Sequence, residues 1–123
     1  METNNTNINR VAAEWLTSLQ LCVEHLQSVE SVTRQLHTSV NDLQYQQHLQ
    51  QLKNNIVVQR NIIKQLNDEV LKFEELNYMN NNAQPFDLAF MIAKNRIREK
   101  IRKAEQNVFL LKYQANKLLS IAS

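Results

Sequence analysis

At 123 residues, with no glycine and one proline, the chain has room for one domain or one long subunit, and little material for tight turns. A β architecture needs turn signals every ~8–12 residues and a phosphate loop needs glycine, so both are set aside and an all-α chain remains. The formal charge of +2 hides an asymmetry: residues 1–83 carry six Lys/Arg against nine Asp/Glu, and residues 84–123 carry eight against three, which favours pairing between the two parts.

The single cysteine cannot close an internal disulfide, which suits a reducing compartment. The longest apolar run, Leu88–Ala93, falls short of the ~20 residues a membrane span needs. The polar start, Met-Glu-Thr-Asn-Asn-Thr-Asn, lacks the basic and apolar regions of a secretory signal. The expected location is cytoplasmic, with a cytoskeletal address compatible and a nuclear one left open.

Residues 1–9 are polar and Asn-rich and read as a flexible lead-in, with Thr6, Asn7 or Asn9 available as a helix N-cap. From Trp15 the apolar positions alternate in steps of four and three: Trp15, Leu19, Cys22, Leu26, Val29, Thr33, Leu36, Val40 and Leu43. That 3.5-residue period marks a coiled-coil seam. Val11, Leu16, Val23 and Val32 widen it beyond a strict two-stranded stripe.

The register fails in the Gln-rich stretch between Leu43 and Leu49. It restarts at Leu49, Leu52, Ile56, Gln59, Ile63, Leu66, Val70 and Phe73, displaced by two residues. Two residues amount to about 200° around a helix, so one straight helix cannot show both seams to one neighbour. A continuous helix over 10–78 that changes partner near residue 45 is the first expectation, because no Gly or Pro marks a turn and Gln is a good helix former. The alternative breaks the helix near 41–48, with Asn41-Asp42 capping a new helix and a compact three-helix bundle as the result.

The stretch Asn77–Asp87 holds the only proline behind an Asn triplet and reads as a bend, with a loop over 79–86. Asp87 is placed as the next N-cap, with Phe86 and Met91 positioned for a hydrophobic staple. The helix over 87–122 carries the cleanest seam: Phe90, Ile97, Ile101, Ala104, Val108, Leu111, Ala115, Leu118 and Ala122. Phe109, Leu110, Tyr113 and Leu119 lie off it and call for a further neighbour.

The expected fold is therefore all-α, a long helical hairpin or coiled-coil bundle subunit. Folding about residue 82 pairs 42–122 as an antiparallel hairpin and leaves 10–41, about 48 Å of helix, projecting for a partner. Trp15, Leu19, Leu26, Val29 and Leu36 are then the expected partner-binding residues, with Trp15 as the anchor.

Residues 94–103 carry six bases and one acid, and Arg96, Arg98, Arg102 and Lys103 are the candidates for an anionic surface. The plainer reading sets Asp68, Glu69, Glu74 and Glu75 opposite them as neutralising partners, with the bases pointing in nearly all directions around Ile97 and Ile101 rather than forming one face. No aromatic platform or recognition motif accompanies the charge, which argues against nucleic acid. His25, His37 and His48 lack metal-site spacing, and Cys22 on the seam reads as an inert buried thiol. No catalytic residue, metal, cofactor or small-molecule substrate is expected.

The expected function is a non-catalytic coiled-coil subunit of a hetero-oligomeric assembly whose partners are other helical proteins. A short chain of two long heptad-bearing helices resembles the small subunits of kinetochore, augmin-like spindle and organelle-positioning complexes. That resemblance implies a microtubule- or spindle-linked role in cell division, with a trafficking complex or a self-contained three-helix adaptor as alternatives.

Overall fold

The computed structural model describes residues 2–36, 42–79 and 88–122. They form three helices, α1 (Glu2–Leu36), α2 (Leu43–Met79) and α3 (Leu88–Ala122), and each packs against both of the others. At 1.5 Å per residue each is roughly 52–56 Å long, so the three are well matched. The all-α bundle expected from composition is present.

The order is up-down-up. Trp15 meets Phe73, and Glu30 farther along α1 meets Arg60 farther back on α2, so these two run antiparallel. Phe73 meets Phe90 and Glu69 meets Lys100, so α2 and α3 also run antiparallel. It follows that α1 and α3 are parallel.

Helix α1 starts at Glu2, well before the expected lead-in ends. Its first residues include several Asn but no Gly or Pro, and Asn lowers helix propensity by only about 0.7 kcal/mol relative to Ala. Thr6, Asn7 and Asn9 therefore lie within the helix.

The larger correction concerns residues 10–41. The described part of that segment does not project beyond a hairpin; it lies along α2 and α3, and its stripe is part of the shared core. Asp42 explains how α2 begins without Gly or Pro. Its carboxylate Oδ1 accepts from Gln44 N–H at 3.0 Å, and its carbonyl accepts from Gln46 N–H at 3.0 Å. That is N-cap geometry, which satisfies a backbone donor left open by the first turn. A new helix has its own rotational phase, so the two-residue slip between seams no longer needs two partners. The alternative with a break near 41–48 is the one the structure adopts. Leu43, counted in the first seam, is exposed as the first residue after this cap.

The seams otherwise face inward as read. Cys22, Leu26, Ile56, Leu66, Ile101 and Leu111 are representative members of a continuous buried core. Thr33 is buried on the seam because its hydroxyl donates to the Glu30 carbonyl at 2.7 Å. Ala12 and Tyr45 join the core without having been expected there. The loop over 79–86, the Asp87 cap, Phe86 of the staple, and Val40, His37 and Asn41 lie outside the described residues, except that Met79 closes α2.

Candidate functional site

The five expected partner-binding residues are all core residues. Trp15 is 7% exposed, and Leu19, Leu26, Val29 and Leu36 are more deeply buried. Their stripe needed covering, since burying each large apolar side chain is worth about 1.5–3 kcal/mol, and α2 and α3 supply that cover.

Exposed large apolar side chains occur on all three helices, and the two aromatic ones among them, Phe109 and Tyr113, lie on α3 beside its seam. Phe109 is 69% exposed, Tyr113 61% and Leu110 54%, while Leu21 of neighbouring α1 is 51% exposed. Leu21, Phe109 and Tyr113 border a groove of about 370 Å³ between α1 and α3, with Cys22 and Val108 at its base. Scattered exposed hydrophobics are ordinary, but a contiguous patch beside a groove characterises an interaction surface.

Helical geometry organises the rest of this face. Met91, Arg98, Arg102, Phe109 and Tyr113 follow one another in steps of seven, four, seven and four, which keeps them on one line along α3. Ile92, Arg96, Lys103 and Leu110 make a second line beside it, in steps of four, seven and seven. All nine are exposed, so the outer face has apolar ends and a basic middle.

The four expected anionic-surface candidates are thus brought onto this face. The neutralisation expected from α2 is reduced to one pair, Lys100 with Glu69 at 3.1 Å. Arg102 lies 3.6 Å from Glu99 on its own helix, and no ion pair joins Arg96, Arg98 or Lys103 to another described residue. The reason is rotational: the seam turns toward α1 and α2, which directs these four bases outward, while Lys100 lies within reach of Glu69.

Burial, and secondarily the nearby Glu105 carboxylate, pushes the Cys22 thiol up to about 11, so at neutral pH it is a protonated packing group. Burial likewise pushes the Tyr45 phenol up. Among the described residues no group of three or more His, Cys, Asp or Glu is placed to hold a metal ion, and no helix is long and apolar enough to cross a membrane.

The sequence carried a signal for the α3 patch, since Phe109, Leu110 and Tyr113 stood off the seam. It did not show that they would stay uncovered after both neighbours had packed. No protein-family model matches the chain, and no curated protein or solved structure matches it at significance.

Proposed function

We propose that this chain is a self-contained, non-catalytic three-helix interaction module that takes its place in a larger assembly by docking another helical protein on the outer face of α3. The observation that carries this reading is the exposure of Phe109, Tyr113 and Leu21 around one groove, with exposed Leu110 next to Phe109 on α3. Aromatic side chains are enriched at protein interfaces, and each ring removes a large apolar area from water when it is covered. With the α1 stripe already buried, the docking surface passes from α1 to α3. The adaptor alternative among the sequence-based expectations therefore fits better than a projecting helix. A finer placement, in a microtubule- or spindle-linked assembly in the cytoplasm, rests on the resemblance of heptad style alone, and the docking reading does not depend on it.

The test is co-purification of tagged full-length chain from its native source, comparing wild type with Phe109→Asp/Tyr113→Asp. The expected result is a compact monomer when the chain is made alone, and loss of stoichiometric partners in the variant without a change in unfolding midpoint. Retention of the same partners by the folded variant would overturn the reading.

A further inference from the structure

We infer that the occupant of the α3 face is an acidic amphipathic helix of another protein. The inference rests on the docking reading above and specifies the chemistry of the partner.

Arg98 and Arg102 stand on the same line as Phe109 and Tyr113, and α3 as a whole carries eight Lys/Arg against two Glu. A helix laid along this line from Met91 to Tyr113 covers roughly 33 Å, or about 22 of its own residues. Its apolar stripe would meet Leu21, Phe109 and Tyr113 at the groove. The same helix, two to three turns away, would then lie over Arg98 and Arg102, where a base faces like charge and an acid faces complementary charge. An acidic partner satisfies both requirements with one helix.

An anionic bilayer shares the electrostatic half of this chemistry, but the groove favours a helix. Leu21 and Phe109 are opposite walls of a concave site about 370 Å³ in volume, which a side-chain ridge can enter and a flat headgroup layer cannot. A second copy of this chain would bring its own basic α3 face against the first, setting Arg against Arg. The charge pattern disfavours that arrangement too.

The experiment places p-benzoylphenylalanine at position 109 of the full-length chain, irradiates it in extract of the native source and maps the adduct by mass spectrometry. The mapped segment is then synthesised as a peptide, and its affinity for the chain is measured at low and high salt. The expected adduct is a helical segment with apolar residues every third or fourth position and a net negative charge. Arg98→Glu/Arg102→Glu is expected to weaken the peptide about tenfold or more at low salt and much less at high salt, with helicity and unfolding midpoint unchanged. Phe109→Ala/Tyr113→Ala is expected to weaken it at both salt levels.

An adduct on a neutral or basic helix, or a peptide affinity indifferent to the Arg reversal, overturns the acidic-partner inference and leaves the docking reading standing. Adducts only to a second copy, or none at all, overturn both. So does the absence of a protein adduct combined with co-sedimentation on phosphatidylserine-rich vesicles that the Arg reversal abolishes.

Discussion

The rings of Trp15 and Phe73 meet with their centroids 5.5 Å apart and their planes inclined at 56°, and Phe73 in turn stacks on Phe90 at 4.8 Å and 23°. One aromatic from each helix thus meets at one level of the bundle, near the end of α2 and the start of α3. Tilted and offset arrangements suit the ring quadrupole better than a face-to-face sandwich. This cluster ties the early part of α1 to the late part of α2, the contact that a projecting α1 would lack. Truncating Trp15→Ala should lower stability by about 3–5 kcal/mol in urea unfolding. A double-mutant cycle of Trp15→Leu with Phe73→Leu should return about 0.5–1.5 kcal/mol of coupling. Zero coupling, or native fluorescence typical of a solvated indole, would contradict the arrangement.

Asp42 carries the start of α2 with its side chain. Asp42→Ala should cost about 1 kcal/mol, and Asp42→Asn should cost little, because Asn accepts the same hydrogen bond. Comparison of urea midpoints for the two variants separates capping from net charge.

The Tyr45 hydroxyl is buried with no hydrogen-bond partner among the described residues. An unsatisfied buried hydroxyl costs about 1–3 kcal/mol. Tyr45→Phe keeps the ring and removes that cost, so it should leave stability unchanged or raise it. Thermal unfolding of the purified variant reads this directly, and a marked loss would show that the hydroxyl is satisfied in solution.

Cys22 makes stability depend on alkaline pH. The folded thiol holds its proton to about 11, whereas the ordinary value is 9.0. Between these values the unfolded chain has released a proton that the folded chain keeps, so stability is full below 9.0 and falls as pH rises toward about 11. Urea midpoints followed across that window should decline less steeply in Cys22→Ala than in wild type. Tyr45, also raised, adds a decline of the same sign. A disulfide-exchange reagent at neutral pH should label Cys22 slowly in the folded chain and promptly in urea.

Much of the core was legible because helical burial repeats along the chain. Leu19, Leu26, Ile63, Ile101 and Val108 could be assigned from spacing alone, since a stripe at 3.5-residue intervals must face something apolar. Tyr45 was hidden by the Gln residues around it, although it stands four positions before Leu49 and continues that seam. The pairing of the basic cluster differs from the expected neutralisation for a related reason. Opposition along a hairpin gives the level of a residue but not its rotation, so Lys100 reaches Glu69 while Arg96 and Arg98 point away.

Composition and periodicity by themselves determined that this protein is helical, that it carries three apolar seams, and that a phase slip separates the first two. They could not say where each seam is buried. A slip of about 200° is met equally well by one helix that changes partner or by two helices that reverse direction. Only the tertiary structure decided between them, through the Asp42 cap and a core in which α1 is covered by its own chain. The same packing decided which apolar residues remain outside. A three-helix bundle covers the face of α3 directed at its two neighbours and no more, leaving Phe109 and Tyr113 in water beside Arg98 and Arg102.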